Sequence, residues 1–345
     1  MTVAFRVAAS ARIGFGHLVR ATRLARALGV PPCVSIRGPA AAGATGRRLG
    51  ARLLTGPARS VVRPDLRLLV IDDPSRRAAL PWLRAARRAG VPVASMHDVG
   101  IAPLPSDLAV DASLEARRVR GLGVGPAACR LGAAYAVLPT DGPAGRVAKA
   151  RRSPGRVTIL IGLGGGRQAR AGLSIARHLA RQLGSGTGKD RVRVLLSLGL
   201  DPAGAERLDV PPRTAIVAPA QFRAALQRAT VAVVAGGTTL YEACALGTPV
   251  VAVPVVPGQA TTVRRFVRAG LAAAVRLRPG DAVGSNRWGQ AVAAAALDLV
   301  SDAGRRSMLR AAGPRAIDGQ GAARLAQALT ALMGGGTMTR ARTSG

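Results

Sequence analysis

The sequence predicts an α/β protein made of two doubly wound, Rossmann-like domains that face each other across an interdomain cleft. Three observations carry that expectation. Apolar, strand-like runs alternate with helical stretches along most of the 345 residues. The alternation is broken once, at Pro139 to Pro154 (PTDGPAGRVAKARRSP), and then restarts. The length suits two domains of about 150 residues each.

Each element has its own local reason. Val3 to Ala8 (VAFRVA) reads as a first strand, and Leu18 to Leu28 carries apolar residues at helical spacing (Leu18, Ala21, Leu24, Ala25, Leu28). Cys33 to Ile36 and Leu66 to Ile71 are further strands, the second ending in Asp72-Asp73. A helical stretch from Arg76 to Ala89 stops at Gly90, and strands follow at Val91 to Ser95 and Asp107 to Asp111. Continuous apolar strands of this kind belong to parallel sheets covered on both faces. After the break, Val157 to Ile161 is a strand, Gly162 to Gly166 a glycine turn and Ala169 to Leu183 a helix. Strands at Val192 to Leu198, Thr214 to Val217, Val231 to Ala235 and Pro249 to Pro254 alternate with helices at Phe222 to Arg228 and Gly236 to Leu246. Later helices are expected at Ala260 to Ala269, Trp288 to Val300, Ala303 to Ala312 and Gly321 to Met333. The expected organisation is an N-terminal domain 1–140, a linker 141–155, a C-terminal domain 156–315, a helix 316–333 packing back on the first domain, and a flexible tail 334–345.

Composition excludes several classes. A hydrophobic share of 48% rules out a disordered chain despite the formal charge of +33. Every apolar stretch is cut by Arg, Gly or Pro before the ~18 uncharged residues that a spanning helix needs, so no membrane span is expected. The N-terminal residues lack the basic start and long apolar core of a signal peptide, which points to the cytoplasm. Cys33, Cys129 and Cys244 are too far apart for a disulfide framework or a zinc motif. Only Lys149 and Lys189 are lysines, so 48 of the 50 basic residues are Arg, and they are dispersed without a run of five. With aromatics at 2% there is no base-stacking platform, which disfavours nucleic acid as a partner. A small anionic ligand fits an arginine-rich chain, because Arg binds phosphate bidentately.

Three motifs can carry chemistry. Gly14-Phe-Gly16-His17 lies between the first strand and the first helix, where glycines let the backbone turn and helix-start N–H groups meet an anion. His17 is a candidate general base, with a helix-capping or merely hydrogen-bonded role as its alternative. No third glycine completes GxGxxG, so NAD binding is disfavoured. Gly236, Gly237, Thr238 and Thr239 follow a strand and open a helix, forming a candidate phosphate cradle. Glu242, one of only three Glu, lies one turn in and can accept both hydroxyls of a ribose diol; the Thr239-to-Glu242 spacing also fits a capping box. Gly258-Gln259 follows the last strand, where Gln259 can touch a sugar or phosphate or be a surface loop residue. Gly164 and Gly165 are placed to line the cleft by the same argument. His97-Asp98 with Asp72-Asp73 is either a metal cluster of no recognised spacing or a solvated strand-end group, and His178 reads as structural. Neither a metal nor a cofactor is expected.

These residues resemble a family. Ala8-Ala-Ser-Ala-Arg-Ile-Gly-Phe-Gly-His17-Leu-Val-Arg20 is similar to the start of the pseudaminic-acid-pathway UDP-sugar hydrolases (UDP-2,4-diacetamido-2,4,6-trideoxy-beta-L-altropyranose hydrolase). AGGTTLYEACALGTPVVAVPVVPGQ, from Ala235 to Gln259, resembles the nucleotide-binding half of that family and equally of MurG-type glycosyltransferases. The closing Asp318-Gly-Gln-Gly-Ala322 also fits the hydrolases. The resemblance implies the GT-B fold and release of free sugar and UDP from a UDP-sugar, with sugar transfer to an acceptor or ligand binding without turnover as alternatives. It implies His17 as the group that activates water, Gly236 to Thr239 on the pyrophosphate, Glu242 on the ribose and Gln259 at the sugar, with Arg20 as a helper. Ala8 stands where the family has Asp, Asp72-Asp-Pro74-Ser where it has Asp-His-Tyr-Gly, and Gly258 where it has Asn.

Overall fold

A computed structural model describes residues 3–10, 13–98, 104–116, 129–139, 156–165, 167–183, 192–200 and 209–342. The predicted linker, 141–155, lies outside the described residues. The chain divides into two compact units, Met1–Ala144 with Gly319–Gly345, and Gly145–Asp318.

The first unit is built on seven strands: β1 (Val3–Ala8), β2 (Cys33–Arg37), β3 (Arg52–Leu53), β4 (Leu68–Asp72), β5 (Val93–His97), β6 (Leu108–Asp111) and β7 (Cys129–Leu131). They lie in the order β3-β2-β1-β4-β5-β6-β7, every neighbouring pair parallel. The helices are α1 (Gly16–Ala27), α2 (Ala40–Arg48), α3 (Ala58–Val61) and α4 (Arg76–Arg88). One face of the sheet packs Phe5, Val7 and Val70 against Leu18, Ala21 and Leu24 of α1, the stripe that helical periodicity assigned to the core. The other face packs Leu69 and Ile71 against Ala79, Trp82 and Leu83 of α4. Ser75 caps α4, its hydroxyl accepting from the Ala78 N–H at 3.3 Å.

The second unit has five parallel strands, β8 (Val157–Gly162), β9 (Val192–Ser197), β10 (Thr214–Val217), β11 (Val231–Ala235) and β12 (Val250–Val253), in the order β10-β9-β8-β11-β12. Its helices are α5 (Arg167–Leu183), α6 (Phe222–Arg228), α7 (Thr238–Ala245), α8 (Ala260–Arg268), α9 (Asn286–Ser301) and α10 (Ala303–Ala316). Trp288 of α9 is fully buried in this core. Backbones touch where α10 crosses α7: a Cβ on Gly313 would stand 2.3 Å from the Cys244 carbonyl oxygen.

The last helix, α11 (Gly321–Arg342), belongs to the first unit, where Ala322, Leu325 and Leu329 are buried with α1. Its helical backbone runs on through residues read from sequence as a tail, because extending a nucleated helix is far cheaper than starting one. Cys33 and Cys244 are buried free thiols, and Cys129 is half-buried and free. Among the described residues no helix is long and apolar enough to cross a membrane.

Candidate functional site

Strand order reverses between β1 and β4 in the first sheet, and between β8 and β11 in the second. Loops at the carboxyl ends of such strands splay apart and leave room for a ligand. His17 and Asp72 meet at the first reversal. After β1 the chain turns tightly: the Gly14 N–H donates to the Ser10 carbonyl at 2.7 Å, and Gly14 has φ +88°, where glycine is at home. Gly16 opens α1, which no side chain caps, and His17 lies in its first turn.

Asp72 is the last residue of β4, beside β1, and its Oδ1 lies 2.7 Å from His17 Nδ1. A carboxylate only accepts, and it lies nearer to Nδ1 than the Arg20 Nη2 at 3.1 Å does, so in the neutral ring Nδ1 is assigned the proton and Nε2 the lone pair. Arg20, three residues along α1, donates from Nε to Asp72 Oδ2 at 2.6 Å and from Nη1 to Asp98 Oδ1 at 2.7 Å. The His17, Arg20 and Asp72 side chains are mostly buried, whereas that of Asp98 is 40% exposed. Burial disfavours a charged His17 ring, but the charge and hydrogen bond of Asp72, helped by Asp98, outweigh it and the repulsion of Arg20. The His17 pKa is therefore raised. Burial works against the Asp72 carboxylate too, yet Arg20 and His17 hold it far below the usual range.

Arg20 serves here as the clamp on two carboxylates, so most of its donors are spent within the cluster rather than offered to a sugar. His17, Asp72 and Asp98 also place three potential metal-ligand atoms within 4.8 Å of one another. The same carboxylate oxygens hold the Arg20 guanidinium, so this donor set does not fit a dication.

The strand-end acids are not one solvated group, as one reading of the sequence had it. Asp72 and Asp73 are both buried. Asp73 accepts from Arg37 at 2.6 and 2.9 Å and from the Ser75 N–H at 2.9 Å. His97 lies 2.7 Å from the Ser95 hydroxyl, which lies 2.5 Å from that of Ser106, and burial lowers the His97 pKa. His178 pairs with Asn286 Oδ1 at 3.0 Å, a bond within the second unit.

The second unit places the other predicted residues at its own reversal. Gly236 and Gly237 join β11 to α7, and Thr238 and Thr239 form the first turn. Gly236 is required sterically: a Cβ there would meet Val263 Cγ2 at 2.8 Å and Gln259 at 3.0 Å. The cradle is narrower than the motif implied. The Gly236 N–H donates to Val253 and the Gly237 N–H to Ala235. The Thr238 and Thr239 N–H groups precede the first bond of the helix, Leu240 to Gly237, and no side chain caps α7. Gly237, not Thr239, is the cap residue of α7, and Glu242 is buried and accepts from Arg223 Nη1 at 3.2 Å. Gln259 folds back to accept from the Val255 N–H at 3.0 Å. Gly164 follows β8 with φ +105° and open space about its Cα, and Gly165 packs against Leu198 and Gly199.

Asp72 as the partner of His17, and Arg223 altogether, were missed from sequence. The signal for Asp72 was an acid ending a central apolar strand; Arg223 gave none.

No protein-family model matches the chain, and no curated relative does. Solved structures do. The chain is similar to MurG of Acinetobacter baumannii, at 15% identity and a TM-score of 0.62, covering 96% of this chain and 99% of that one. It is similar to CalG4, the calicheamicin glycosyltransferase, at 16% identity and 0.59, covering 96% and 98%. It is also similar to the spinosyn rhamnosyltransferase SpnG complexed with thymidine diphosphate, at 15% and 0.60, covering 96% and 100%. Identities this low speak for the backbone alone, and with two parallel, doubly wound sheets they show that this chain has the GT-B fold.

Proposed function

We propose that this chain is a UDP-sugar hydrolase in which His17 activates water. The observation that carries the proposal is the 2.7 Å contact between His17 Nδ1 and Asp72 at the strand-order reversal of the first sheet. Asp72 fixes the tautomer, so Nε2 is the base. Nε2 takes a proton from water as the water oxygen bonds to the anomeric carbon. The bond from that carbon to the diphosphate oxygen breaks, and UDP leaves with the electron pair. Thr238 and Thr239 offer N–H groups and hydroxyls to the diphosphate, whose growing charge the positive end of α7 favours. Glu242 takes the ribose diol, and Gln259 serves the sugar. General-base catalysis of this kind contributes about 10²- to 10⁴-fold in rate.

A second reading replaces water with an acceptor hydroxyl, which makes the same chemistry a glycosyl transfer. What favours it is that the solved structures similar to this chain include glycosyltransferases. Incubation with a panel of UDP-sugars, with free UDP and free sugar assayed separately, separates the two. Hydrolysis releases both in equal amounts without an added acceptor. His17→Ala is expected to remove UDP release while leaving UDP-induced thermal stabilisation in place. Unchanged turnover in that variant ends the assignment of His17.

A further inference from the structure

We infer that Asp98 makes the His17 site one for neutral sugars, turning away those that carry a carboxylate at C6. The inference rests on the proposed reading of that site, in which the anomeric carbon of a UDP-sugar meets a water activated by His17.

The chain as a whole is strongly cationic, at +33, and draws anions of every kind. At the first strand-order reversal the balance is the other way. Asp72 and Asp98 share one guanidinium, that of Arg20, and His17 is neutral when it acts as a base. Asp111 adds a carboxylate at the same strand ends, in register with His97. Burial lowers the His97 pKa, so that ring brings no positive charge near neutral pH. Arg6 and Arg37 are engaged elsewhere. Arg37 donates to Asp73, and the Arg6 guanidinium donates to Ser35 and lies over the Trp82 ring, on the α4 face of the sheet.

Access singles out Asp98. The side chains of His17, Arg20 and Asp72 are mostly buried, whereas that of Asp98 is 40% exposed. Burial works against a charged Asp98, but Arg20 outweighs it, with bonds to the two oxygens at 2.7 and 3.0 Å, and lowers the pKa. Asp98 offers an oxygen within 4.8 Å of a His17 ring nitrogen. In the proposed reaction the water oxygen and the anomeric carbon follow that ring, and C6 lies one pyranose ring further on. A charge at C6 then comes within the ~8 Å over which physiological salt leaves charges unscreened. A C6 hydroxyl can donate to the Asp98 carboxylate. A C6 carboxylate can only accept, so it meets repulsion and no bond.

The test measures the affinity of UDP, UDP-glucose and UDP-glucuronate by titration calorimetry at low salt, above the His17 midpoint. The two UDP-sugars differ only at C6. The wild type is expected to prefer UDP-glucose by about tenfold. Asp98→Asn keeps the shape without the charge and is expected to cut the preference to about threefold or less, by tightening UDP-glucuronate. Asp98→Glu keeps the charge and is expected to retain most of the preference. A gain of affinity for one ligand is not what a merely damaged site produces. In the wild type itself the preference is expected to shrink as salt rises, which reads the charge without any variant. A wild type without preference, a preference unmoved by salt, or an Asp98→Asn that shifts UDP and both UDP-sugars alike overturns the inference. A wild type that binds none of the three overturns the nucleotide placement instead. Binding is read without turnover, so a failure of His17 as the base is seen separately, in the UDP-release assay of His17→Ala.

Discussion

Asp72 receives the His17 ring on one oxygen and the Arg20 guanidinium on both. Three residues thereby share a small volume of low exposure, and each sets the protonation of the next. A base works unprotonated, and the His17 pKa is raised above its ordinary 6.5. UDP release is therefore expected to rise with pH through a midpoint above 6.5. Asp72→Asn removes the charge that raises it, so the midpoint is expected to move to lower pH while the plateau falls by about 10²-fold or more. A pH–rate profile of both proteins reads the two effects, and an unmoved midpoint contradicts the dyad. Folding responds with the opposite sign. Stabilisation from protonated His17 is complete below about 6.5 and is lost as pH rises through the raised value. His17 was legible in the sequence because it follows a strand and a glycine turn. Its partner was not, since the pair spans 55 positions and nothing local at Asp72 names a distant histidine. The pairing of Glu242 with Arg223 was hidden in the same way, the two lying 19 positions apart on different helices.

Secondary structure was legible where burial is continuous and obscure where it is not. The central strands β1, β4, β8 and β11 are apolar runs buried on both faces, and their pattern alone reveals them. At the sheet edges, β3 is two residues and β7 three, one carrying Arg52 and the other Arg130, too short and polar for any periodicity. Helix α2, AAAGATGRR, has little but Ala, Gly and Thr to bury, so no apolar stripe announces it. The glycines were legible as turns but not as contacts. Gly236→Ala is expected to push the segment at Gln259 and Val263 away from α7, since its Cβ would lie 2.8 Å from Val263 Cγ2. Overpacking of this kind costs about 1–3 kcal/mol. The variant is expected to lose UDP-induced stabilisation even where it remains folded, as a melt with and without UDP would show.

Across the whole molecule, alternation and length sufficed to anticipate a two-part α/β chain. The charge of +33 carried little about function beyond what the sites state. Asp72, Asp73 and Asp98 are all paired with arginines about the first strand-order reversal, so there the excess of Arg serves to hold acids in place. The chain has only two tryptophans, Trp82 in the first unit and Trp288 in the second, and both are buried. Each therefore reports on one unit once the other is changed to Phe. Truncation after Asp318 removes Ala322, Leu325 and Leu329 from the first core. Losing two buried leucines at about 2–5 kcal/mol each is comparable to the whole stability of a domain. Trp82 emission in the truncated chain is expected to report an unfolded first unit, and Trp288 emission a native second one.

The return of α11 also bears on the order in which the protein can form during synthesis. The second unit is one unbroken stretch, Gly145–Asp318, and is complete in sequence before the first. The first unit begins at the amino terminus yet lacks part of its interior until Leu329 has left the ribosome. For this chain the usual precedence of the amino-terminal domain is inverted: the half proposed to hold the nucleotide can mature while the half carrying His17 still waits for its final helix.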